Sequence, residues 1–248
     1  GILIAILLES EDRWVRKHVC RLLVEMGRGI EDGLIRELRQ KDRPWYFYRN
    51  IISVLGEMKS EKAGDAVSEF GFHPEPRLRM EVLDSLIKIF GKNADLILID
   101  ALNDQDVRVH TRAIDLLGTL RSANKRAILH FIEIIRKRDL EEEEPDEGLQ
   151  MHVCLALESI GNRMVGEDQT LEDVLIESLR TEKTGVFRTK GTKRNKSPKV
   201  RLALCKTLGI LGTEKSLDVL KSAAKEGDSS LKEKALEASD KISGRAAG

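Results

Sequence analysis

The sequence predicts an all-α protein, an α-solenoid (superhelix) of about seven stacked helix pairs, on three observations. A motif of nine or ten residues returns along the chain, its copies keep a near-constant spacing, and the residues around each copy are those that start and stop helices.

In the motif an apolar residue is usually followed by a basic one, then by a small or β-branched residue, then by Leu-Gly. It reads VRKHVCRLL from Val15, FYRNIISVLG from Phe47, LRMEVLDSL from Leu78, VHTRAIDLLG from Val109 and VRLALCKTLG from Val200. Weaker copies are HVCLALESIG from His152 and LKEKALEAS from Leu231. The inward positions are Val19, Ile51, Val82, Ala113, Ala156, Leu204 and Ala235, spaced by 32, 31, 31, 43, 48 and 31 residues. The two long spacings hold insertions. One is acidic, Asp139–Glu147, and the other is a basic loop near 183–199. The whole chain, 1–248, is expected to be one continuous domain.

Within a repeat, Val15, Val19, Leu22, Leu23 and Met26 fall at i, i+4, i+7, i+8 and i+11, a single stripe on a helix. A shorter helix precedes it in each unit, as at 30–38, 123–135, 171–179 and 217–224. Asp12, Asp42, Glu75, Asp106 and Asp228 stand ahead of the second helices, where a carboxylate caps free N–H groups. Gly27, Gly56, Gly91, Gly118 and Gly161 stand near their ends, where glycine takes a left-handed cap at least cost. No pair buries its stripe alone, so stacking of successive pairs is required.

Composition removes several function classes. The 248 residues carry 42 basic and 42 acidic side chains and only 4% aromatics, so no global field draws the chain to nucleic acid or membrane. Cys20, Cys154 and Cys205 have neither disulfide nor zinc spacing, and a reducing, cytoplasmic compartment is expected. The longest apolar run, Ile2–Leu8, falls far short of the ~18 residues of a membrane span. Because Gly1 opens inside an apolar helical pattern, the chain is expected to be a fragment of a longer protein.

The VRxxAxxxLG motif on a period of about 31 resembles the short bacterial HEAT repeats, the type also found in phycobilin lyases and in designed HEAT-like arrays. The resemblance covers nearly the whole chain, departing at Tyr48 and His110, where the usual Arg is missing, and across 140–200. It implies that the second helix of each pair lines the concave surface. It says little of activity, because this repeat serves unrelated roles. Some HEAT-like proteins are di-iron hydroxylases with His-Glu ligand pairs. Here His18, His73, His110, His130 and His152 are followed by Val, Pro, Thr, Phe and Val, and no cofactor or metal is expected. Cys20 and Cys205 read as small apolar fillers rather than nucleophiles.

If second helices line the concave face, it carries Arg13, Trp14, Lys17, Arg21, Trp45, Tyr46, Arg49, Arg77, Arg108 and Arg112. Acidic Glu81, Asp84 and Asp115 share the face. Trp, Tyr and Arg dominate interface hot spots, so residues 13–112 form a candidate basic, aromatic groove for an acidic or extended peptide. The plainer reading packs Trp14 and Trp45 as ordinary core. The expected function is a non-catalytic protein–protein interaction scaffold. The alternative is nucleic-acid binding through the same face and the basic loop, at Arg188, Lys190, Lys193, Arg194 and Lys196. The acidic stretch Glu141–Glu147 is a candidate mask for that loop.

Overall fold

The computed structural model describes residues 1–136, 146–161, 169–183, 192–194 and 196–246, and among them fourteen α-helices form seven successive pairs. The pairs are α1 (Ile2–Glu9) with α2 (Arg13–Glu25), α3 (Glu31–Leu38) with α4 (Trp45–Glu57), and α5 (Gly64–Ser68) with α6 (Pro76–Phe90). They continue as α7 (Asp95–Ala101) with α8 (Val107–Leu120), α9 (Lys125–Arg136) with α10 (Glu147–Ile160), and α11 (Gln169–Leu179) with α12 (Pro198–Leu211). The last pair is α13 (Leu217–Glu226) with α14 (Ser229–Ala246). The fold is the all-α, helix-pair solenoid that the spacing predicts. One small exception is an antiparallel hairpin, β1 (Thr181–Lys183) with β2 (Thr192–Arg194), in the basic insertion.

Two compact units divide the chain, Gly1–Leu116 and Leu117–Gly248. In the first, α2 packs on α4 and α4 on α6, with the shorter helices on their flank. In the second, α10 packs on α12 and α12 on α14. All seven inward positions are buried, from Val19 to Ala235. Each large aliphatic among them contributes about 1.5–3 kcal/mol relative to exposure.

The caps follow the sequence with one exception. Asp12 accepts from the Trp14 N–H, Glu75 from Arg77, Asp106 from Arg108 and Asp228 from Leu231. Asp42 instead takes a left-handed turn at φ 65°, and Pro44 stands at the cap of α4.

The glycines divide into two groups, which corrects part of the expectation. Gly27, Gly91 and Gly161 have positive φ at helix ends, as predicted. Gly56 and Gly118 lie within α4 and α8, and the left-handed residues after them are Lys59 and Arg121. Their purpose is close approach. A Cβ on Gly56 would lie 2.9 Å from Ser85 Cα, and one on Gly118 would lie 2.8 Å from Ala156 Cα.

Candidate functional site

The first second-helix, α2, begins where the Asp12 carboxylate accepts the Trp14 N–H at 2.7 Å. Arg16 then reaches back to the Ser10 carbonyl at 2.6 Å, fixing the chain's entry into the helix. Val19 and Leu23 point into the core, so the opposite flank carries Trp14, Lys17, His18 and Arg21 into solvent. Between this flank and α4 lies an open groove of about 440 Å³. Cys20, Val24 and Val54 line it together with that flank, and Ser53 and Glu57 close the α4 side.

Trp14 is 69% exposed, an unusual state for the largest side chain in a chain poor in aromatics. Lys17 Nζ sits 5.6 Å from its ring centroid, and His18 Nδ1 lies 3.1 Å from its carbonyl. Arg21 makes an exposed contact with Glu25 at 3.5 Å. Arg13 is exposed at the start of the helix.

Trp45 is placed differently. It is half-buried against the core of its unit, edge-on to Tyr46, and the Arg77 guanidinium covers its face at 4.2 Å. Arg77 is at the same time held by Glu75, with Nε donating at 2.6 Å. Tyr46 donates its hydroxyl to the Leu8 carbonyl and lies under Arg16 at 5.0 Å. Trp45 and Tyr46 thus bind neighbouring repeats together.

The other predicted cations mostly meet carboxylates. Arg49 Nε lies 3.9 Å from Glu81, Arg112 Nη2 lies 2.6 Å from Asp84, and Arg108 Nη2 lies 2.7 Å from Asp106. The Arg108 pairing holds the Asp106 carboxyl down to about 2. Acidic residues of α6 therefore answer Arg49 of α4 and Arg112 of α8. Trp14, Lys17 and Arg21 come together in one groove. Arg49, Arg77, Arg108 and Arg112 belong to an ion-pair ladder.

Of the basic loop, Arg188 and Lys190 lie outside the described residues, as does most of the acidic stretch. Lys193 and Arg194 are in β2, paired with Glu182 and Thr181 across the hairpin. Lys196 departs from the solvated-loop expectation, because only 1% of it is exposed. Glu147, at the end of the acidic stretch, accepts from Ser197 and Lys199 beside that loop.

The motif arginine proves to be a turn clamp. Arg79 is buried and donates to the carbonyls of His73 at 2.7 Å and Pro74 at 3.1 Å in the turn before its helix. Arg201 likewise reaches the Leu179 carbonyl. Tyr48, where the motif departs from Arg, does the same work with a hydroxyl that donates to Gln40 O at 2.6 Å. The recurrence of a basic residue marked the position, but nothing local marked its direction.

Burial pushes the Cys20 thiol up to about 11 and those of Cys154 and Cys205 to about 12, which disfavours the thiolate in each. Among the described residues, no group of three His, Cys, Asp or Glu side chains converges to hold a metal ion, and no helix is long and apolar enough to cross a membrane.

No protein-family model and no curated protein matches the chain. Solved structures do resemble it. An engineered protein from the Northeast Structural Genomics Consortium superposes with a TM-score of 0.54 at 17% identity, covering 98% of this chain and 67% of that one. Looser likenesses, at TM-scores of 0.44 and 0.41, are the CpcE–CpcF complex of phycocyanin lyase from Nostoc sp. PCC7120 and human deoxyhypusine hydroxylase in complex with glycerol. Their identities are 17% and 14%. The first covers 97% of this chain and 93% of its own, and the second covers 98% and 95%. The engineered protein speaks to fold and to nothing else. The chain is a helical-repeat protein.

Proposed function

We propose that this protein is a non-catalytic scaffold of the short HEAT-like type, holding a partner protein on the second-helix face of its first unit. The observation that carries the proposal is the α2–α4 groove, where an exposed Trp14 stands beside Lys17 and Arg21 over an apolar floor of Val24 and Val54. An aromatic anchor with adjacent cations is the chemistry of an interface hot spot for an apolar side chain flanked by acidic ones. The ion-pair ladder supports a protein partner over a nucleic acid, since Arg49, Arg108 and Arg112 already face carboxylates. Three unpaired thiols accord with work in the cytoplasm.

The test is retention of partners from a nuclease-treated extract on the native chain and on a Trp14→Ala/Arg21→Glu variant. Proteins held by the native chain and lost by the variant support the scaffold. Equal retention on both, or recovery of nucleic acid in place of protein, contradicts it.

A further inference from the structure

The repeat motif closes on Leu-Gly within α4, α8 and α12, with Gly56, Gly118 and Gly209 each five residues after the inward position. Each glycine marks a close approach to the next second helix. A Cβ on Gly56 would lie 2.9 Å from Ser85 Cα, and one on Gly209 would lie 3.0 Å from Ala238 Cα. The facing residues Ser85 and Ala238 stand three residues after their own inward positions, and both are small. The first copy of the motif breaks this rule, because Leu23 is followed by Val24. The residue of α4 in the facing register is Val54, so two branched side chains stand where other joints have bare backbone against a small residue. Both valines line the groove. α4 accordingly packs more closely on α6 than on α2.

The ties across this joint all lie ahead of Val24. Arg16 of α2 covers the Tyr46 ring of α4 at 5.0 Å, and Cys20 Sγ donates to the Asn50 carbonyl at 4.0 Å. Past Cys20 the charged groups turn elsewhere. Arg21 meets Glu25 of its own helix, and Glu57 of α4 meets Lys88 of α6. The next two joints are bridged on the same face, by Arg49 with Glu81 and by Arg112 with Asp84. The second of these spans the joint after α6, where Ile87 also replaces the glycine. α2 and α4 are therefore tied at one end and held apart at the other.

We infer that Val24 is the positioning residue of the α2–α4 site, a wedge that works against Val54 to keep the groove open. Its role in binding rests on the reading of that groove as the partner's seat, whereas its action as a wedge does not. Interiors pack too densely for two branched side chains to share the space of a glycine and a serine. With glycine at position 24 the joint takes the form of the α4–α6 joint, and the seat for an apolar side chain beside Trp14 closes. The site is thus made by one departure from the protein's own repeat, in the one copy where no ion pair spans the opening.

Cys20 lines the groove and reports its width. The test is its rate of labelling by iodoacetamide in the full chain, read by peptide mass spectrometry for the native protein, Val24→Ala and Val24→Gly. Cys205, buried in the second unit, is the reference for general unfolding. A wedge that is trimmed lets α2 settle on α4, so Cys20 is expected to label at least about threefold more slowly in Val24→Ala and more slowly still in Val24→Gly, with Cys205 unchanged. A side chain that merely lines the groove leaves more room when trimmed, so a native or faster Cys20 rate overturns the inference. Alanine favours a helix more than valine does, so Val24→Ala decides the matter if Val24→Gly loosens the fold and Cys205 with it. The same variants carrying a photoreactive residue at position 17 are then irradiated in host extract. Slowed Cys20 with loss of the native adduct supports the positioning role, and slowed Cys20 with the adduct undiminished overturns it. Absence of any adduct from the native chain removes the partner reading and the positioning role with it, while the Cys20 rates still decide the wedge.

Discussion

Arg79 and Asp104 form a two-point ion pair across consecutive repeats. Nε donates to Oδ2 at 2.7 Å and Nη2 to Oδ1 at 2.6 Å, with both side chains largely withdrawn from solvent. Asp104 also accepts the Asp106 N–H, and Arg79 also holds two carbonyls of its own turn, so the pair sets the distance between two turns. Removing one partner strands the other charge. Arg79→Ala and Asp104→Ala are each expected to cost about 3–5 kcal/mol in urea unfolding, whereas Arg108→Ala, on an exposed pair, leaves the midpoint nearly where it was.

Gly118 and Gly33 predict opposite outcomes for one change. Gly118→Ala drives a methyl group against Ala156 Cα, a backbone atom that cannot rotate away, and is expected to destabilise by about 1–3 kcal/mol. Gly33 lies inside α3 with only the end of Arg36 nearby, at 3.9 Å, so Gly33→Ala is expected to stabilise by about 0.5–1 kcal/mol through helix propensity. Thermal melts of the two variants against the native chain decide both.

The thiols give a third prediction. Raising a thiol from its ordinary 9.0 to about 11 cuts its thiolate fraction at pH 8 roughly a hundredfold. In the folded chain, Ellman's reagent is expected to titrate none of the three cysteines at the rate of a free thiol, and all three once guanidinium is added. Fast reaction of Cys20 in the folded chain would show the α2–α4 groove to be more open than described.

A fourth concerns pH. Burial, chiefly, lowers His73 below its ordinary 6.5, with the nearby Arg79 charge adding to the shift and Glu75 opposing it. The neutral ring accepts the Glu75 N–H, so the folded chain resists protonation that the unfolded chain accepts. Stability is therefore full above about pH 6.5 and is lost as pH falls through the lower folded value. The carboxyls of Asp106 and Glu75, also held low, act in the same direction but only below about pH 4. His73→Asn keeps an acceptor for the Glu75 N–H without the titration. Its melting temperature is expected to stay flat between about pH 7.5 and 5.5, where the native chain's declines.

Much of the fold is legible in the sequence because a repeat states its core many times over. Val19, Ile51, Val82, Ala113, Ala156, Leu204 and Ala235 were identifiable from spacing alone, and all are buried. What one repeat does to its neighbour was not legible. Gly56 and Gly118 look like caps until the facing Ser85 and Ala156 are in view. Trp14 and Tyr46 hold matching places in their repeats, but only Tyr46 is tied to the preceding repeat, lying under Arg16 and donating to the Leu8 carbonyl. Arg49 and Arg112 counted toward a basic face, yet Glu81 and Asp84, on that same face, pair with them.

The central claim is that a protein partner sits in the α2–α4 groove, and photo-crosslinking tests it most directly. A photoreactive residue replaces Lys17 inside the groove, or Leu96 on an exposed helix face outside it, and the full chain is irradiated in host extract. The account predicts a discrete protein adduct from position 17, absent from position 96 and abolished when Trp14→Ala is added. Adducts of equal yield from both positions, or a position-17 adduct that survives Trp14→Ala, would contradict it.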